Sequence, residues 1–66
     1  MDDLDAWRAA AEVIKLHGAD AAGFAGQRAI DLHVAGDLAG EEAWVRIMMR
    51  IYELQRRSRA EGEASH

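Results

Sequence analysis

The sequence predicts a single all-α domain, a three-helix bundle in which one helix precedes a helical hairpin. The chain has no Pro and almost no β-branched run, so no segment has the pattern of a strand. Two short segments divide the chain into three helices, because a Gly can end one helix and an Asp can cap the next. These segments are His17-Gly18-Ala19-Asp20 and Ala35-Gly36-Asp37. Between these segments apolar residues recur every three or four positions, which is the period of an amphipathic helix.

Helix 1 is predicted over about residues 3–17, with Asp2 or Asp3 as its N-cap. Its apolar residues are spaced three, four and three positions apart, which places them on one face. The predicted core residues of this helix are Leu4, Trp7, Ala11 and Ile14, and Ala10 and Val13 widen the same face.

Helix 2 is predicted over about residues 21–35, with Asp20 as its cap. Its inner stripe is small, which lets another helix approach closely, and consists of Ala22, Ala25, Ala29 and Leu32. Ile30 and Val34 lie on nearly the opposite side. Because a helix that is apolar on two sides is usually surrounded, the sequence predicts helix 2 as the middle helix.

Helix 3 is predicted over about residues 38–59, with Asp37 as its cap. Glutamates in its first turn and arginines near its end agree with the helix dipole. Its predicted core stripe is Trp44, Ile47, Ile51 and Leu54. The domain is therefore predicted to span residues 1–59, and residues 60–66 are predicted to form a disordered tail.

The chain also resembles a family of short, uncharacterised alphaproteobacterial helical proteins. The resemblance covers about residues 7–54 and rests on four segments: His17-Gly18-Ala19-Asp20-Ala21, Arg28-Ala29, Gly36-Asp37-Leu38-Ala39-Gly40 and Trp44-Val45-Arg46-Ile47. It implies a compact helical domain and no particular activity. Gly23 and Gly26 depart from the Ala-rich second helix of that pattern. A looser similarity, from Ala21 onward, is to one tetratricopeptide-type hairpin, which cannot bury its apolar face alone.

Composition restricts the classes of function. The 66 residues carry a net charge of −4 and no Cys, which excludes disulfides and Cys-based zinc sites. The amino terminus is acidic, unlike a secretory signal, and no apolar run is long enough to span a bilayer, so we expect a cytoplasmic protein. A core of this size rarely supplies more than roughly 3–5 kcal/mol, which favours oligomerisation.

The sequence offers little support for catalysis. His17 and His33 each fall in the last turn of a predicted helix, where the helix dipole favours a cation, and neither has a further metal ligand at suitable spacing. The acidic residues at the helix starts stabilise the dipole in the same way; they are Asp2, Asp3, Asp5, Glu41 and Glu42. We therefore expect no catalytic, cofactor or metal site, and a protein that is not an enzyme.

A second apolar stripe on helix 3 carries the functional prediction. It lies about a quarter of a turn from the Trp44 stripe and consists of Val45, Met48, Met49 and Tyr52. Because Met-rich helix faces are common at binding surfaces, the sequence predicts a small interaction module, with a homodimer as the expected assembly.

The charge distribution is also compatible with two other functions. The basic helix 3 has the charge of a DNA-binding regulator, with Arg46, Arg50 and Arg57 as possible contacts, although the net negative charge argues against nucleic acid as the main partner. The second alternative is an acidic inhibitor of the antitoxin or anti-defence type, which occludes a basic surface on a target protein. The acidic front of the chain and its basic last helix could also attract each other, within one chain or between two copies.

Overall fold

The structure, a computed structural model, describes the backbone of residues 2–64 and the side chains of residues 2–58. Its elements are α1 (Asp3–His17), a 3-10 turn (Gly18–Asp20), α2 (Ala21–Val34) and α3 (Leu38–Ala64). No strand occurs in residues 2–64. The all-α prediction is therefore confirmed, and all three helices begin where the sequence placed them.

The end of α3 differs from the prediction. The helix continues to Ala64 instead of ending at Arg59, so residues 60–64, predicted as part of a disordered tail, belong to the helix. Ser65 and His66 lie outside the described residues. The segment after Arg59 contains no Pro, and its Ala and Glu residues are good helix formers on both sides of the weaker Gly62.

Two of the predicted Asp caps are present, and one is not. The Asp2 carboxylate accepts a hydrogen bond from the Asp5 N–H at 2.9 Å, and the Asp37 carboxylate accepts one from the Gly40 N–H at 2.9 Å. Asp20 makes no side-chain capping bond, so that prediction was wrong. Its backbone (φ −89°, ψ 2°) continues the 3-10 turn, whereas a capping residue normally has an extended backbone.

The α2–α3 turn is a Schellman motif. The Gly36 N–H donates to the His33 carbonyl at 3.0 Å, and the Asp37 N–H donates to the Leu32 carbonyl at 2.9 Å. Gly36 has a φ of +81°, a left-handed conformation that glycine adopts without a Cβ clash. One residue later Asp37 caps α3, so a single short segment ends one helix and starts the next.

The central helix of the bundle is α3, and the prediction that helix 2 is the middle one was wrong. With 27 residues α3 is about 40 Å long, close to the combined length of α1 and α2, so both pack along it. Both make most of their helix–helix contacts with α3. The Gln55 side chain donates to the Gly18 carbonyl at 3.0 Å, which ties the α1–α2 connection to α3.

The core between the helices is made largely of alanine. The buried apolar residues are Ala6, Ala10, Val13, Ala21, Ala22, Ala25, Ala29, Ile47 and Ile51. Ile51 is the one large side chain among the described residues that is fully buried. Trp7, Ile14, Leu32, Trp44 and Leu54, also predicted as core, are half-buried. Small side chains let the helix backbones approach closely, but each contributes little apolar area.

On α1 the buried face is centred to one side of the predicted stripe, toward Ala10 and Val13, which were expected only to widen it. Leu4 is 57% exposed and Ala11 is also exposed, whereas Ala6, Ala10 and Val13 face the core. Trp7 lies half-buried at the edge of the bundle, where its indole N–H donates to the Asp3 carboxylate at 3.1 Å. The N–H of a Trp that is partly buried usually needs a hydrogen-bond acceptor, and the Asp3 carboxylate provides one at the exposed start of α1.

Candidate functional site

The side of α3 that faces away from the core carries a continuous stripe of side chains. We call this set the outer stripe: Glu42, Val45, Met49, Tyr52 and Arg56. Its members are spaced alternately three and four residues apart, so they share one face. At 100° per residue Met49 lies about 200° around the helix from the buried Ile47. Met49 and Tyr52 are each 58% exposed, so this apolar surface is open to solvent.

Met48, which the sequence grouped with Val45, Met49 and Tyr52, has a different environment. It is half-buried and packs against the edge of the core. Its sulfur lies 3.4 Å from the position that a Cβ on Gly26 would occupy, so it fills the space left by that glycine on α2. Met48 therefore joins α3 to α2. Of the other predicted residues Met49 and Tyr52 are exposed, and Val45 is half-buried.

A groove between α2 and α3 extends the apolar surface beyond α3. It has a volume of about 390 Å³ and is lined by Gly26, Ala29, Ile30, His33, Glu41, Val45 and Met48. At one end His33 Nδ1 lies 3.0 Å from a Glu41 carboxylate oxygen, which links the end of α2 to the start of α3. Ile30 is 57% exposed, and Val34, one turn further along α2, is 80% exposed.

Ile30 and Val34 were visible in the sequence as a second apolar side of helix 2, but they were assigned to packing against a neighbouring helix. The structure places α3 on one side of α2 and leaves these two side chains at the surface. The apolar periodicity of helix 2 therefore predicted that Ile30 and Val34 share a face. That this face is exposed to solvent follows only from the arrangement of the helices.

The arginines proposed as nucleic-acid contacts all have partners in the same chain. Arg50 donates to the Asp3 carboxylate at 2.6 and 3.0 Å, and its guanidinium lies 4.8 Å from the Trp7 ring centroid. Arg57 lies 5.9 Å from the same ring, and Arg46 forms an ion pair with Glu42 at 3.7 Å. The attraction between the acidic front and the basic helix thus operates within one chain at Arg50.

A cluster of rings lies on the other edge of α2. Phe24 stacks on His17 with a centroid distance of 4.0 Å and meets the Trp44 ring edge-on at 5.8 Å. The Arg28 guanidinium lies 5.6 Å from the Trp44 ring centroid. Trp44 is therefore half-buried under these groups, and its ring holds α2 against the first turns of α3.

A second open groove, of about 600 Å³, runs between α1 and the far half of α3. Its lining has no ionisable side chain and consists of Ala11, Ile14, Ala19, Leu54, Gln55 and Ser58. Among the described residues no three His, Asp or Glu side chains are placed to hold a metal ion. Within the same part of the chain, no helix combines the length and the apolar character needed to cross a membrane.

Comparison of this chain with protein-family models, with curated proteins and with solved structures gave no match.

Proposed function

We propose that this protein is a small, non-enzymatic interaction module of the cytoplasm that dimerises through the outer stripe of α3. The observation that carries the proposal is the exposure of Met49 and Tyr52, with the half-buried Val45 beside them, on a helix whose opposite face already holds the core. A surface helix normally has a single apolar face, toward its own domain. The second apolar face of α3 is suited to contact with another chain.

The composition of the core supports the proposal. Among the described residues six of the nine buried apolar side chains are Ala, and burying a methyl group contributes about 0.8 kcal/mol, against about 1.5–3 kcal/mol for a whole Val, Ile or Met side chain. A single chain therefore gains little from its own core. Covering Met49, Tyr52 and Ile30 with a second chain adds the larger side chains that this core lacks.

The dimensions of the chain also support the proposed dimer. The radius of gyration is 12.8 Å, whereas a compact domain of this length has about 11 Å. The accessible surface is 4703 Å², against about 4,200 Å² for a folded monomer of this mass. An elongated molecule with extra surface has room to bury part of that surface against a partner.

The mass in solution tests the proposal. Sedimentation equilibrium at micromolar concentration should give about twice the 7.3 kDa chain mass. Met49→Asp should give a folded monomer, because a buried unpaired carboxylate opposes association. Leu16→Asp is the matched control, since Leu16 is an apolar residue on α1 that is even more exposed than Met49, and it should remain dimeric. A concentration-independent mass of 7.3 kDa for the unsubstituted chain would overturn the homodimer.

The DNA-binding alternative receives no comparable support. Arg50, the central member of its proposed contacts, is paired with Asp3 and covered on one side by Trp7. The acidic-inhibitor alternative requires a defined acidic surface, and Asp3 and Glu41 each already lie beside a basic side chain of the same chain. We therefore propose neither.

A further inference from the structure

The spacing of the side chains in the outer stripe is nearly symmetric about its centre, Met49. Glu42 and Arg56 are each seven residues from Met49, while Val45 and Tyr52 lie four and three residues from it. The stripe therefore has an acidic end, three apolar side chains and a basic end. A two-fold axis brings a surface against the same surface of a second copy, so a stripe of this kind can match itself when reversed.

We propose, on the basis of the dimer proposed above, that the two α3 helices pack antiparallel around a two-fold axis at Met49. In this arrangement Glu42 faces the partner subunit's Arg56, and the same ion pair forms again on the other side of the axis. Val45 lies beside the partner subunit's Tyr52.

The charges at the two ends determine the direction. The side chains of Glu42 and Arg56 are both 76% exposed, so both are available to a partner. Antiparallel helices bring opposite charges together at both ends, whereas parallel helices place Glu42 against Glu42 and Arg56 against Arg56. Like charges placed against each other at an interface are unfavourable, and the helix dipoles also favour the antiparallel direction.

The existing partners of these two side chains do not prevent this pairing. Glu42 is 3.7 Å from Arg46 one turn away, and Arg56 is 2.6 Å from Glu53 on the same helix. Such exposed pairs within one helix contribute about 0.3–0.5 kcal/mol, and a carboxylate or guanidinium can bond two partners at once. Each end can therefore form a small network across the two chains.

The contact is long enough to hold two chains together. From Glu42 to Arg56 the stripe extends about 21 Å along α3, similar to the full length of α2. The groove lined by Ile30, Val45 and Met48 lies directly beside it on the α2 side. A helix lying along the stripe also covers Ile30, so that α2 and α3 of both chains form a four-helix arrangement.

Charge reversal tests the ion pairs. Glu42→Arg alone and Arg56→Glu alone should each weaken the homodimer about tenfold in Kd, because two attractive contacts become repulsive. An equimolar mixture of the two variants should restore the unsubstituted Kd, since every contact in that heterodimer joins opposite charges. A mixture that associates as weakly as the separate variants would overturn the pairing.

Disulfide trapping tests the direction independently, and the absence of Cys gives no background. In the antiparallel dimer Val45→Cys and Tyr52→Cys should form a mixed disulfide with each other. Neither should link to itself, because like positions lie about 10 Å apart along the axis, beyond the reach of a disulfide. Self-linked Val45→Cys and Tyr52→Cys without the mixed product would show parallel helices and overturn this inference.

Met49→Cys is the control, because position 49 meets its own counterpart in either direction. If Met49→Cys links and the mixed disulfide does not form, the antiparallel inference fails while the dimer through α3 stands. If Met49→Cys does not link and the unsubstituted chain sediments as a monomer, the proposed function itself fails.

Discussion

Arg50 on α3 joins α1 through Asp3, a residue 47 positions earlier in the chain, with its guanidinium nitrogen 2.6 Å from the carboxylate oxygen. The same guanidinium lies 4.8 Å from the centroid of the Trp7 ring, and the Trp7 N–H donates to the other oxygen of Asp3. Three side chains thus form one closed network at the start of α1. This network fixes the position of α1 along α3 more specifically than a core of alanines does.

Arg50→Ala should lower the free energy of unfolding by about 1–2 kcal/mol, the sum of a partly exposed ion pair and a cation–π contact. Urea unfolding at one fixed protein concentration measures this loss. Arg8→Ala, at an exposed arginine of α1, is the control and should change stability by less than about 0.5 kcal/mol. Equal effects of the two substitutions would show that the Asp3–Arg50–Trp7 network contributes nothing measurable.

Asp37→Ala should cost about 1 kcal/mol, because the Gly40 N–H loses its acceptor at the start of α3. For a domain of this size that loss lowers the melting temperature by about 4–8 °C. Asp20→Ala is the matched comparison, since Asp20 also follows a Gly signal but makes no capping bond. It should melt close to the unsubstituted protein, and equal losses in both variants would contradict the assignment of Asp37 as the cap.

Two Gly→Ala substitutions should change stability in opposite directions. Gly23 lies in α2 and a Cβ there meets no atom within 4 Å, so Gly23→Ala should stabilise the protein by about 0.5–1 kcal/mol. Gly36 has a φ of +81°, where an L side chain is strained, so Gly36→Ala should destabilise it by about 1–2 kcal/mol. Chemical denaturation of both variants measures the two changes in the free energy of unfolding. If both changes have the same sign, the local environment described for one of the two glycines is wrong.

Ile51→Ala should be more destabilising than Trp44→Ala. Ile51 is fully buried where α1 and α2 meet α3, and large-to-small changes at such sites cost about 2–5 kcal/mol, comparable to the whole stability expected of a chain this short. Trp44 is half-buried at the edge, so its truncation should cost less than the about 3–5 kcal/mol that is typical of a fully buried Trp. Circular dichroism should show Ile51→Ala largely unfolded at 25 °C and Trp44→Ala folded; the reverse order would place the core at Trp44.

The candidate surface was only partly predictable. The sequence identified Val45, Met49 and Tyr52 as apolar residues beyond the needs of one core stripe. The prediction also included Met48, because position 48 follows the same period. Met48 instead fills the space left by Gly26 on α2, a contact between helices that the periodicity of one helix does not reveal. The ends of the stripe, Glu42 and Arg56, were seen as dipole partners and not as parts of one face with Met49.

By itself the sequence determined the helical class, the three helix starts and the turn at Gly36-Asp37. These features depend on backbone hydrogen bonds and dihedral angles within a few residues, as the Gly36 N–H, Asp37 N–H and Gly40 N–H bonds show. The tertiary structure decided which faces are buried. Apolar residues cover much of α1. Its period is therefore compatible with a buried face that contains Leu4 and Ala11 and also with a buried face that contains Ala6 and Ala10. Only packing against α3 selects the face of Ala6 and Ala10. That choice depends on close approach between helices and on partners such as Asp3 and Arg50, which are far apart in the chain and come together only in the fold.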